Sequence, residues 1–211
     1  MFSRHYGNTR RDLADAYGRY EHGCEFGAVL LGDGTAVAAV RLLRPSQRGL
    51  KSLRDAAGQP WCLPVARTRL AAGLAAEHTW DVATFGVDSD TVGPGRRITI
   101  ALMSVMFGAF RDNGVTSFVA ILDTRARRSL AGLGLRMHDL PGALAAPYLG
   151  SPASVPVYRH VAELHAEHAD RFTEVHAQAF HGTRIPGLDE CWTRPGIYRA
   201  DHWPTPRSGR V

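Results

Sequence analysis

The order of elements along the chain predicts an α/β fold, on three observations. Two apolar runs, 26–31 and 36–43, flank Gly32-Asp33-Gly34 and read as a β-hairpin. A strand, a glycine-rich loop, a long amphipathic helix and a second strand then follow one another over 80–122. A further helix and a last strand, at 155–161, complete the unit.

Each element has a local reason. Residues 1–24 are polar and arginine-rich, with a short helix expected around 12–20. Arg44-Pro45-Ser46 ends the second hairpin strand, and 45–60, bounded by Pro45 and Pro60, reads as a loop or short helix. The Ala, Leu and Arg content of 65–76 predicts a helix. Residues 80–87, Trp80-Asp81-Val82-Ala83-Thr84-Phe85-Gly86-Val87, alternate as a strand with one buried face. The polar loop 88–97 leads into a helix over 98–113, in which Ile98, Leu102, Val105, Met106 and Phe110 recur at spacings of three and four. Asn113-Gly114 stops that helix. Residues 117–122 are short and apolar, as in a buried strand. Asp123 caps a helix over 124–133, which Gly134 ends. A polar helix is expected over 162–180.

Composition narrows the function. Of 211 residues, 45% are apolar and 21% charged, an ordinary globular balance. No run of about 18 apolar residues is present, so no membrane span is expected. Met1–His5 lacks the apolar stretch of a secretory leader, which points to the cytoplasm. Cys24, Cys62 and Cys191 are too few and too far apart for a disulfide framework or a metal knuckle. The net charge of +5 is carried by arginine, Lys51 being the only lysine. Forked guanidinium donors suit phosphates and carboxylates: nucleic acid, coenzyme A, a phosphopantetheine arm or an acidic carrier protein. A GC-rich coding sequence gives the same bias. The arginines are scattered with no interleaved aromatic motif, which argues against nucleic acid.

The glycine-rich loop is the first candidate site. A helix entered through Gly93-Pro94-Gly95-Arg96-Arg97 presents unpaired N–H groups and the positive end of its dipole. Glycine lets backbone approach a ligand, and the two arginines add charge for a pyrophosphate. It is neither a Walker loop nor G-x-G-x-x-G. An ordinary turn with solvated arginines is the alternative.

In this order, the strand, the Val92-Gly93-x-Gly95-Arg96-Arg97 loop, the long helix, the strand and the helix resemble the acyl-donor half of the GNAT N-acyltransferases. Four stretches resemble the acyl-homoserine-lactone synthases and N-acyl amino acid synthases more particularly. They are Tyr20-Glu21, the strand end Val40-Arg41-Leu42-Leu43-Arg44-Pro45-Ser46, the strand Trp80 to Asp88, and Arg128 to Leu135 with Leu149-Gly150-Ser151-Pro152. The resemblance covers roughly residues 20–161. It implies a central mixed, mostly antiparallel sheet flanked by helices, with 1–161 as the GNAT-like domain. Residues 162–211 would add a C-terminal helix and a Pro/Arg/Trp-rich tail carrying Trp192, Tyr198 and Trp203, packed on the domain or on a second subunit.

The same resemblance implies transfer of an acyl group from an acyl-CoA or acyl-carrier-protein thioester to a small amine. In the lactone synthases, which make quorum-sensing autoinducers, that amine is adenosylmethionine. No tightly bound cofactor is implied, because coenzyme A or phosphopantetheine arrives with the donor. Val92, Gly93, Gly95, Arg96 and Arg97 map onto the phosphate-binding loop. Asp81 maps onto the general base, with Glu21 second, and its alternative role is an ion pair with Arg41 or Arg69. A backbone amide within 85–87 would face the oxyanion, and Gly86 would allow close approach or mark a bulge. Arg41 and Arg44, with Thr84, Phe85, Gly86 and Val87, line the substrate site. The family's acid for the leaving thiolate is a tyrosine or serine after the later strand, and the helix 124–133 holds no tyrosine, which leaves Ser129. Ala83 and Thr84 replace the family's Ser and Arg, and of the arginine and aromatic residues that close over the acceptor only Arg4 and Tyr6 correspond. That departure raises a second reading, a catalytically inactive GNAT-like binding or regulatory module. An apolar tunnel beside Phe85, Met103, Met106 and Phe107 with Asp81 at its mouth favours the enzyme, and a filled core there favours the module. His165 and His168 lie three apart on a predicted helix, but there is no H-E-x-x-H, so they read as a polar face and no metal is expected.

Overall fold

The structure, a computed structural model, describes residues 7–31, 33–88 and 95–183, with the backbone of 191–193 and 198–199. The elements are α1 (Arg10–Tyr17), a 3-10 turn (Gly18–Gly23), β1 (Cys24–Leu31), β2 (Ala36–Leu43), α2 (Lys51–Ala57), α3 (Val65–Ala71), β3 (Thr79–Val87), α4 (Arg96–Asp112), β4 (Ser117–Asp123), α5 (Thr124–Ala131), β5 (His138–Asp139), β6 (Ala146–Tyr148), β7 (Ser151–His160), α6 (Val161–Arg171), α7 (Thr173–His181), β8 (Cys191–Thr193) and β9 (Tyr198–Arg199). The strands form one sheet in the order β5-β7-β4-β3-β2-β1-β8, with β6 beside β7 and β9 beside β1. Among the described residues β3 and β4 pair in parallel and the other pairs are antiparallel. This is the α/β arrangement expected from the sequence, a mixed, mostly antiparallel sheet flanked by helices.

Alternation along β3 sends Trp80 and Asp81 to opposite faces. Trp80 meets Phe110 of α4 edge-on at 6.2 Å, so α4 covers one face. Asp81 meets Ser52 of α2, so α2 covers the other. The apolar stripe of α4 explains its burial: Ala101, Leu102, Met103, Met106 and Phe110 are fully enclosed. The helix ends at Asn113, whose side-chain amide donates back to Ala109 O at 2.9 Å, before Gly114 at φ +64°. The filled core around Met103, Met106 and Phe107 replaces the tunnel considered there from sequence.

Two local expectations are corrected, and one is decided between its two alternatives. The first helix begins at Arg10 because Thr9 and Asp12 form a capping box. The stretch 45–60 holds α2, whose N-cap residue Leu50 contributes no side-chain bond. The helix expected over 162–180 is two helices broken at Phe172, whose backbone (φ −134°, ψ 45°) leaves the helical region. No helix among the described residues is long and apolar enough to cross a membrane.

Gly27 sets how closely α4 lies on the hairpin. A Cβ there would stand 2.4 Å from Val105 Cγ1 and 3.0 Å from Val40 Cγ1. Gly27→Ala should therefore overpack this layer and cost about 1–3 kcal/mol in urea unfolding. An unchanged midpoint would show that the helix-to-sheet contact is slack.

Candidate active site

The parallel pairing of β3 with β4 is short: Thr79, Trp80 and Asp81 pair with Ser117, Phe118 and Val119, and no pairing continues beyond them. Past that point the two strands keep only their outer partners, β2 and β7. In an antiparallel ladder every second residue turns its N–H and C=O away from its partner. Residues 82–87 thus aim part of their backbone into the split. The register of β2 against β3 also slips here, Arg41 facing Thr84 and Leu42 facing Val82, which leaves Ala83 as the extra residue of a bulge. The bulge sits at Ala83 and not at Gly86, which pairs regularly with Ala39.

A cavity of about 90 Å³ opens at the split. Its walls include Thr84 and Phe85 of β3, Ile121 to Asp123 of β4, Tyr17 of α1, Lys51 and Ser52 of α2, and Tyr148 of β6. The Tyr17 hydroxyl donates to the Ala83 carbonyl at 3.0 Å, so the bulge is held by a side chain. Burial raises the affinity of Tyr17 for its proton. Lys51 is 3% exposed; its ammonium donates to Tyr148 Oη at 2.6 Å, pairs with Asp55, and lies 4.6 Å above the Tyr17 ring. Tyr148 also donates to Asp55. Burial, followed by the Asp55 carboxylate, holds Tyr148 far toward the neutral phenol. At the far wall Ser151 Oγ donates to Asp123 at 2.5 Å, and Asp123 caps α5 through the Arg125 and Ala126 amides. Burial opposes ionisation of Asp123, but those hydrogen bonds outweigh it and hold its carboxyl below the usual range.

Asp81 is 0% exposed and does not line this cavity. Its two oxygens take the Ser52 amide at 2.5 Å and the Ser52 hydroxyl at 2.8 Å. Its hydrogen-bond partner is therefore Ser52 and neither Arg41 nor Arg69. The carboxylate supplies the cap that α2 lacks locally. Burial pushes the Asp81 carboxyl up to about 6, against the opposing pull of the Ser52 bonds and Lys51. The placement corrects the expectation of Asp81 at a cavity mouth: any contact with a ligand runs through Ser52.

The other expected residues fall in several places. Arg41 stacks on Tyr17 at 4.6 Å and on Phe26 at 4.7 Å, next to the cavity wall rather than in it. Arg44 turns to the α4 face, where it pairs with Glu25, covers Trp80 at 5.1 Å and donates to Asn113 at 3.0 Å, so it is not a cavity residue. Glu21 is exposed on the 3-10 turn and lines no part of the cavity. Ser129 is exposed and bonds Arg125 O one turn back in α5, away from the split. Thr84 and Phe85 line the cavity, whereas Gly86 and Val87 pair with β2 beyond it. Gly95 is the N-cap of α4 and provides no side-chain cap, and Arg96 and Arg97 are exposed on its first turn. Val92, Gly93, Arg4, Tyr6 and Trp203 lie outside the described residues.

Tyr17, Lys51, Ser52 and Tyr148 are the residues that sequence reasoning missed. Lys51 carried one signal, as a single lysine in an arginine-rich chain. Tyr148 carried another, directly before the Leu149-Gly150-Ser151-Pro152 stretch.

No protein-family model and no curated protein matches the chain. Solved structures give partial likenesses. One is BjaI, a CoA-dependent acyl-homoserine lactone synthase solved with MTA, at 15% identity and TM-score 0.49 over 70% of this chain and 64% of that one. Another is FeeM, an N-acyl amino acid synthase from uncultured soil microbes, at 13% identity and TM-score 0.47 over 63% and 65%. A third is Tetrahymena GCN5, at 10% identity and TM-score 0.46 over 76% and 81%. The match thus spans less than two thirds of the lengths of BjaI and FeeM, and at these identities it is a likeness of fold.

The Asp81–Ser52 tie has a measurable signature. The folded carboxyl holds its proton up to about pH 6, above its ordinary value of 3.8. Stability from this group is present below pH 3.8 and lost as pH rises through 6. Asp81→Asn can still accept from the Ser52 amide. Wild type should therefore lose on the order of 1–3 kcal/mol relative to Asp81→Asn between pH 4 and 7 in urea unfolding. Asp81→Ala, which strands the Ser52 amide, should cost about 1–3 kcal/mol near pH 4. Parallel pH curves for wild type and Asp81→Asn would place the Asp81 titration elsewhere.

Proposed function

We propose that this chain is an N-acyltransferase, moving an acyl group from a thioester to a small amine. The observation that carries the reading is the β3/β4 split: parallel strands part at a bulge beside a cavity lined by hydroxyl and ammonium donors. A thioester carbonyl seated in the split meets backbone N–H groups aimed at its oxygen, the arrangement that stabilises a developing oxyanion. The donor's pyrophosphate or phosphopantetheine phosphate lies at the start of α4, where Gly95 leaves the first-turn amides uncapped by a side chain and Arg96 and Arg97 add charge. Acyl-CoA and acyl-carrier-protein thioesters both fit that chemistry. The acceptor is an amine such as adenosylmethionine or an amino acid.

Proton movement follows from the cavity walls. The attacking amine gives its proton to Ser52 Oγ as the Ser52 proton passes to Asp81, whose carboxyl is largely ionised at neutral pH. The amine nitrogen bonds to the carbonyl carbon and the C–S bond breaks. Tyr148, kept neutral by burial and Asp55, relays a proton to the thiolate by taking one from the Lys51 ammonium as it gives up its own, in the role the resemblance gave to Ser129. The cycle closes when Asp81 releases the amine's proton and Lys51 takes one up.

A second reading, a binding module without turnover, draws on the filled core around Met103, Met106 and Phe107, on the closed Lys51–Asp55–Tyr148 cluster and on Ala83 and Thr84. Thiol release and N-acyl product, followed by mass spectrometry across acyl-CoA and acyl-carrier-protein thioesters with a panel of amines, separate the two. The transferase reading expects turnover that falls about a hundredfold or more in Ser52→Ala and in Tyr148→Phe. Thioester binding without turnover supports the module, and absence of thioester binding contradicts both.

A further inference from the structure

A cluster of three histidines lies outside the cavity, between α6 and α7. His165 projects from α6, and His176 and His181 from α7. One ring nitrogen from each falls within 4.8 Å of the other two. The His165 and His176 ring centroids are 4.4 Å apart, and those of His176 and His181 4.8 Å, both edge-to-face. His176 is 9% exposed, and its Nε2 is buried with no hydrogen-bond partner. A buried imidazole nitrogen without a partner costs free energy unless something coordinates it. His168, read from sequence as the neighbour of His165, instead turns to Phe172 and Gly134.

We propose that His165, His176 and His181 form a binding site for a divalent transition-metal ion such as Zn²⁺, Ni²⁺ or Cu²⁺. Neutral imidazole is the ligand these ions prefer among nitrogen donors, and no thiolate or carboxylate joins the set among the described residues. Three nitrogens at about 2.0–2.1 Å from one ion stand about 3.3 Å apart. The two exposed rings, His165 and His181, can close that gap by rotation while the buried His176 stays fixed. Their exposure leaves the remaining coordination position to water.

Such an ion would fasten α6 to α7, and α7 supports α4. Phe180 of α7 stacks on Phe107 of α4 at 4.2 Å and 17°, and Arg111 of α4 donates to Phe180 O at 3.3 Å. The site thus braces the helix that covers one face of the sheet, on an element separate from the proposed transfer cavity.

The test is calorimetric titration of the untagged, chelator-treated full chain with Zn²⁺, with thermal unfolding before and after. The proposal expects one ion per chain and a raised melting temperature. His165→Ala and His181→Ala remove exposed rings, so the metal-free melting temperature should stay near wild type while affinity falls about tenfold or more in each. Two outcomes overturn it: no stoichiometric binding, or wild-type affinity retained in both variants, as binding at exposed Cys62 would give.

Discussion

The buried contact between Asp81 and Ser52 is the constraint on which the rest of the site depends. Asp81 is the last residue of β3 to pair with β4, so its carboxylate stands where the sheet begins to open. By accepting the Ser52 amide and hydroxyl it caps a seven-residue helix that has no cap of its own. Helices this short are marginal without tertiary support. The contact therefore fixes α2, and α2 places Lys51 and Ser52 at the split. One desolvated carboxylate thus connects the end of a strand ladder to the donors around a cavity, and its raised proton affinity records the cost of that burial.

The second layer of organisation is the bulge at Ala83. It coincides with the loss of β4 as a partner, and the Tyr17 hydroxyl holds its carbonyl. Arg41 then stacks on Tyr17 from the neighbouring strand, and the Lys51 ammonium lies over the same ring. Two cations against one aromatic ring stiffen the wall. Bulges and split ladders expose backbone polar groups that a regular sheet would consume, and this makes them useful to a ligand with a carbonyl.

Much of the fold was legible in the sequence because it follows local rules. The hairpin, β3, α4, β4 and the Asp123 cap of α5 all announce themselves through alternation, helical spacing or a capping residue. What escaped was non-local. The cap of α2 lies 29 residues away on a strand, so 45–60 could not be decided locally between a loop and a short helix. Tyr148 reaches Asp55 across 93 residues, and no pattern near either predicts it. Arg41 and Arg44, three apart at a strand end, belong to opposite sides of the sheet, which a linear motif hides. Of the cavity, only the end of β3 was named from the sequence, while the other groups facing it came from β4, α1, α2 and β6.

The central claim is that the split between β3 and β4 receives the thioester. Amide hydrogen exchange of the full chain, with and without a saturating acyl-CoA, tests it most directly. The account predicts that added acyl-CoA slows exchange in 82–87 and in the first turn of α4, with little change in the β1–β2 hairpin. Protection confined to other elements, or no change in 82–87 at saturation, would contradict it.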